Sequence, residues 1–191
     1  LQFFHNHGML GATTQRPWRT IPGGTSRYLE PLVKPFQQRI RTGVDVRVHR
    51  TEQGGTVRIK GEESQSFDQV IFACRGPQVL QVLEDTSALE REVLSAFTSN
   101  INPTWLHEDV SILPKHRRGW ASWNYRRRSE TPDHLLLTYH MNRLQPLPTQ
   151  RDFLVTLNPE GHVDETKVQR KFIYEHPRFT LDALRAQTRW Q

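Results

Sequence analysis

One cysteine, Cys74, stands in 191 residues, so the chain builds no disulfide framework of its own. It lies in the apolar run Val70-Ile71-Phe72-Ala73-Cys74, which predicts a buried and inert thiol. No apolar stretch approaches the roughly 20 residues that a bilayer-spanning helix needs, and no basic-then-apolar leader opens the chain. The expectation is a soluble protein of a reducing, cytoplasmic compartment. Several catalytic signatures are also missing. There is no GxGxxG or Walker pattern to cradle a phosphate, no GxSxG nucleophile elbow, and no HExxH or CxxC. The nine histidines are scattered, so no metal site is expected.

What is present is basic and moderately polar. Lys and Arg number 26 against 20 Asp and Glu, for a formal charge of +6. Hydrophobic residues make up 35% and charged residues 24%, with enough aromatics and β-branched runs for an ordered core. The cations cluster at Lys115-His116-Arg117-Arg118 and at Arg126-Arg127-Arg128. Both clusters flank an aromatic segment with strand character, so they are expected as solvated loops at its ends, without nucleic acid. An anionic ligand or an anionic lipid surface is the alternative use.

Periodicity predicts mixed α and β structure. Ile21-Pro22-Gly23-Gly24 is a turn, and Tyr28, Leu29, Leu32, Val33 and Phe36 are spaced for a helix with one buried face. Val44, Val46 and Val48 alternate, Gln53-Gly54-Gly55 turns the chain, and Val57 and Ile59 return, which predicts a hairpin. Residues 67 to 74 are expected to extend it into a meander as a strand buried on both faces. Two short helices follow, over residues 78 to 83 and 89 to 97. Strands are then expected over Thr104 to Ile112, Gly119 to Tyr125, His134 to Met141 and Asp152 to Leu157, with a further strand over Lys167 to Tyr174 and a closing helix begun by Thr180. On this strand pattern Trp123 and Tyr125 share a face, either as sheet packing or as an aromatic wall beside a planar ligand. The carboxylate pairs Glu62-Glu63 and Asp164-Glu165 lie in turn-like stretches and carry no catalytic expectation.

Five short motifs in order resemble the flavin-containing amine oxidoreductase superfamily, and within it a bacterial group of NAD/FAD-binding proteins. They are Phe4-His5-Asn6-His7-Gly8-Met9-Leu10; Arg16-Pro17-Trp18-Arg19-Thr20 with Pro22-Gly23-Gly24; Asp68-Gln69-Val70-Ile71-Phe72-Ala73-Cys74; Asn102 through Leu106-His107-Glu108-Asp109; and Trp120-Ala121-Ser122-Trp123-Asn124-Tyr125. Together they span nearly the whole chain.

The resemblance implies an α+β or α/β architecture in which part of an FAD lobe, a β-meander with helices, is joined to an antiparallel or mixed-sheet substrate lobe. It assigns residues 1–20 to a substrate-lobe loop, 21–86 to the FAD lobe, 87–165 to the substrate lobe and 166–191 to a return segment. Gly23 and Gly24 then correspond to the family's glycine pair near the flavin, Val46 to a backbone contact at the adenine end, and Ala73 and Cys74 to a strand end near the dinucleotide. Trp123 and Tyr125 would line the substrate. The activity implied is FAD-dependent oxidation of an amine-bearing or apolar, lipid-like small molecule, with hydride passing to the flavin. The strand where many amine oxidases carry a lysine has none here; His107, and His7 in the opening loop, are the candidates in its place. The family's opening GxGxxG strand and closing flavin motif are expected outside residues 1 to 191, which predicts an internal fragment that binds FAD poorly by itself. The competing reading is a non-catalytic domain that holds an anionic partner on its basic loops.

Overall fold

The computed structural model describes residues 19–127 and 136–189. They form two antiparallel sheets, of three and five strands, with five helices. The chain divides into two units. In described residues, one comprises 19–37 and 105–171, the other 38–104 and 172–189.

In the second unit the alternation of valines produces the hairpin. Strands β1 (Val46–Thr51) and β2 (Gly54–Ile59) pair antiparallel with Val46 opposite Ile59 and Val48 opposite Val57. Gly54 is required where it stands, because a Cβ there would lie 2.1 Å from the Phe67 carbonyl oxygen. Strand β3 (Gln65–Phe67) completes the meander in the order β1-β2-β3.

The predicted buried strand over residues 67 to 74 is corrected. Phe67 already faces Gly55, next to the first residue of β2, so the residues after it have no ladder partner among the described residues. The run keeps its alternation without a sheet. Val70 and Phe72 pack against buried Val48, Val79 and Leu83, while Ile71 is 87% exposed. Ala73 and Cys74 are exposed as well, so the thiol is not the buried one expected.

Helix α2 (Gly76–Val82) and helix α3 (Ala88–Ser95) approach closely at Gly76, where a Cβ would meet the Leu94 carbonyl oxygen at 2.8 Å. Ser87 caps α3 reciprocally: its hydroxyl accepts from Glu90 N–H at 3.2 Å, and the Glu90 carboxylate accepts from Ser87 N–H at 2.9 Å. In the closing helix (Leu181–Gln187) Ala183 and Ala186 are buried, and Thr180 caps it by accepting from Ala183 N–H at 3.1 Å.

The five-stranded sheet has the order β5-β6-β7-β4-β8, with β4 Ser99–His107, β5 Trp123–Arg126, β6 Leu136–His140, β7 Leu154–Leu157 and β8 Val168–Pro177. The division between units falls within β4 and β8. In the first unit Trp105, Ile112, Leu113, Leu136, Leu154 and Val163 form the core. Two predicted boundaries move. The strand expected from Thr104 to Ile112 ends at His107 and yields to a 3-10 turn over Val110–Ile112. Trp120 belongs to the loop before β5 and packs on the core from there.

Helix α1 (Ser26–Val33) forms where the periodicity placed it, yet none of its residues is buried. Tyr28, Leu29, Leu32 and Phe36 are all exposed. The expected buried face is therefore a correction: spacing aligned these side chains, but no described element covers them.

Candidate functional site

The first unit contains a cleft of about 540 Å³ beside β5 and β6. Each wall is held by a specific polar contact. One wall is the turn Ser111 to Leu113, which depends on buried Asp109. This carboxylate accepts from Ser111 N–H at 3.1 Å, from Asp164 N–H at 2.9 Å and from Lys167 Nζ at 3.2 Å. Burial pushes the Asp109 carboxyl up, but these hydrogen bonds outweigh it and hold the group at about 2.

A second wall is the loop from Pro114 to Gly119. Trp120 Nε1 donates to the Pro114 carbonyl at 2.8 Å, and the Arg117 guanidinium lies 4.7 Å above the Trp120 ring. Arg117 also donates to Asp152 at 2.8 Å, and Asp152 meets His140 Nε2 at 3.1 Å. Within the first basic cluster, Arg117 is therefore paired both with a carboxylate and with an aromatic ring.

The third wall is β5. Trp123 and Tyr125 alternate along it and both line the cleft, 44% and 69% exposed. Asn124, between them, ties back the preceding loop by accepting from Ala121 N–H at 3.0 Å and donating to Ala121 O at 2.7 Å. Trp123 also lines a neighbouring cleft of about 570 Å³ with Arg19, Ser122 and Arg143.

The floor is Thr138, opposite Thr156 in the sheet and on the face that the Trp123 and Tyr125 side chains point away from. The two threonine hydroxyls are 2.9 Å apart, and Thr156 is 2.7 Å from His107 Nε2. His107 is completely buried, and its Nδ1 accepts from Asp109 N–H at 3.1 Å. Burial drives its pKa down to about 4, against an upward pull from Asp109. His107 lies behind the cleft floor and does not line the cleft.

The other predicted positions are spread out. Gly23 and Gly24 form a turn before α1, with Gly24 N–H donating to Ile21 O at 3.0 Å and Gly23 at φ +83°. Val46 pairs with Ile59 and packs on the core of the second unit, where exposed Ala73 and Cys74 also lie. His7 lies outside the described residues. Trp123 and Tyr125 are brought together, while His107 reaches the cleft only through two hydroxyls.

As a test of fit for FAD, the described residues supply a glycine turn and a strand edge. The Gly23 opening is filled by the Arg27 side chain, at 2.9 Å from where a Cβ would stand. No GxGxxG turn exists in the chain for the diphosphate. These residues do not fit the whole cofactor. Among the described residues no group of three His, Cys, Asp or Glu is placed to hold a metal, and no helix is long and apolar enough to cross a membrane.

Sequence reasoning missed Asp109, Thr138, Thr156 and Asp152. A signal for the threonines existed: Leu136, Thr138 and His140 alternate on β6 as Leu154 and Thr156 do on β7, and all five are buried. No family model matches the chain, and no curated protein matches it.

Proposed function

We propose that this chain forms part of a flavin-dependent oxidoreductase of the amine-oxidase type, contributing the surface that receives an amine-bearing or apolar small molecule. The observation that supports this reading is the cleft over the antiparallel sheet, walled by Trp123 and Tyr125 within the segment whose motifs resemble the family's substrate side. The cleft falls in the size range of small-molecule sites. Trp123 and Tyr125 contribute exposed apolar area at its edge, and Asp109 and Asn124 keep its loops in place. Because the described residues do not fit a complete FAD, no hydride step is assigned to them.

The test is expression of the gene's whole reading frame and a scan for flavin absorbance, followed by anaerobic addition of amines and apolar substrates. A yellow protein that bleaches supports the reading; a colourless one overturns it. A second reading, a non-catalytic domain that holds an anionic partner, draws on Lys115 and Arg126, which line the same cleft. A colourless protein that still binds anions through these two residues would favour it.

A further inference from the structure

We infer that the outer edge of β5 binds a short extended peptide, which joins the sheet as a further strand along the cleft. The inference rests on the proposed function in taking this cleft as the substrate's site, and it narrows the substrate to a peptide of about four residues, the length of β5. Three observations lead to it.

The first is the direction of the backbone. β5 is the outermost strand in the order β5-β6-β7-β4-β8, so among the described residues only one of its edges is paired. His140 N–H donates to Ser122 O at 3.0 Å, and the register sets Asn124 opposite Thr138 and Arg126 opposite Leu136. In an antiparallel pair, residues that exchange hydrogen bonds alternate with residues that do not. Ser122, Asn124 and Arg126 therefore turn their N–H and C=O groups towards β6, and Tyr125 turns both of its groups outwards. Neither of these Tyr125 groups has a hydrogen-bond partner among the described residues.

The second is where the cleft lies. All four residues of β5 line it, Trp123 and Tyr125 from one face and Asn124 and Arg126 from the other. A cleft over one face of a strand would be lined by alternate residues only, so this one runs along the strand's edge. A ligand that uses both faces has to alternate as β5 does. An extended peptide alternates: every second side chain falls beside the Trp123 and Tyr125 rings, and the others fall beside Asn124 and Arg126. Its own N–H and C=O groups then meet those of Tyr125.

The third is the contrast between the two edges of this sheet. Edge strands that stay unpaired carry devices that block pairing. β8 has them: Pro177 lacks an N–H, and Arg75 donates to the Glu175 carbonyl at 3.4 Å. β5 contains no proline, and its register with β6 runs without a bulge.

The experiment is calorimetric titration of the chain with a blocked tetrapeptide that alternates phenylalanine and serine, and with two derivatives methylated either on both phenylalanine nitrogens or on both serine nitrogens. The parent is expected to bind. Methylation deletes the donor, and in a strand only alternate N–H groups face the neighbour, so one derivative should lose at least about tenfold in affinity while the other binds like the parent. Tyr125→Pro removes the outward donor at an edge position where proline is tolerated. It should weaken the parent by about tenfold with an unchanged circular dichroism spectrum. Equal losses for the two derivatives, loss in neither, an unchanged affinity in folded Tyr125→Pro, or no binding of the parent would overturn the inference. A dimer that Tyr125→Pro dissociates, with no peptide binding, would assign the edge to a second copy of the chain and also overturn it. A whole-frame protein whose flavin bleaches with simple amines, beside a chain that ignores the peptide, would remove this inference and leave the oxidoreductase reading standing. A colourless whole-frame protein whose peptide binding still alternates would do the reverse.

Discussion

The two units of this chain hold themselves together with different buried chemistry. In the first, Leu136, Leu154 and Trp105 share the interior with His107, Asp109, Thr138, His140 and Thr156, all nearly inaccessible to water. In the second, the interior is Val48, Val79, Leu83, Val93 and two alanines of the closing helix, with Thr104 as its buried polar residue among those described. There the cations and carboxylates meet at the surface, as Arg58 does with Glu84 and Arg189 with Glu92. An apolar interior tolerates small shifts, because its contacts have no direction. A row of buried hydrogen bonds does not, since a slipped register strands donors at a cost of about 1–3 kcal/mol each. The unit with the cleft is therefore also the unit whose geometry is specified most sharply.

The largest expected effect tests whether buried polar contacts carry the first unit. Asp109→Ala strands the N–H groups of Ser111 and Asp164 and frees the Lys167 ammonium. It should destabilise by about 4 kcal/mol in denaturant titration. A loss of under about 1 kcal/mol would make the contrast between the units empty.

Acid should act next, and mainly on the first unit. The pKa of His107 in the fold is lowered to about 4 from the ordinary imidazole value of 6.5. The unfolded chain therefore binds the extra proton first, and stability is lost as pH falls from 6.5 towards 4, by about 3 kcal/mol, then levels. Asp109 follows in a lower window. Its folded value of about 2 lies below the ordinary carboxyl value of 3.8, so its contribution is present above 3.8 and lost as pH falls towards 2. Denaturation midpoints measured across this range should show the upper step, and His107→Gln should abolish it while leaving the lower one.

Two smaller effects probe the second unit. Val48→Ala removes methyl groups from the centre of its apolar cluster and should cost about 2 kcal/mol with no acid step of its own. Ser87→Ala removes one side of the cap on α3 and should cost about 1 kcal/mol, read as a shift in the thermal midpoint.

Much of the local structure was legible. The hairpin of β1 and β2, the two short helices, the closing helix begun by Thr180 and most strands of the larger sheet follow from alternation, helical spacing and a capping residue. Trp123 and Tyr125 were identified as a pair for the same reason, since residues two apart on a strand share a face. The misses share one cause. Whether Val70 to Cys74 becomes a strand depends on a partner for its edge, and whether the Tyr28 to Phe36 stripe is buried depends on a neighbour. Neither is written in the segment itself. His107 was named only because it stands on the strand where the resembled family carries a lysine, and its burial and its hydrogen bond to Thr156 depend on a strand far away in sequence.

The sequence by itself determined which residues lie on a common face, where helices begin and where the chain can turn, because these depend on dihedral preferences and spacing over a few residues. It also determined the basic balance and the lack of a GxGxxG motif. Only the tertiary structure decided which faces are covered, that Asp109 and His107 belong to one buried network, and that Lys115, Arg126, Trp123 and Tyr125 line a single cleft. Those outcomes depend on long-range neighbours, since burial, hydrogen bonding and pKa are properties of what surrounds a group rather than of the group.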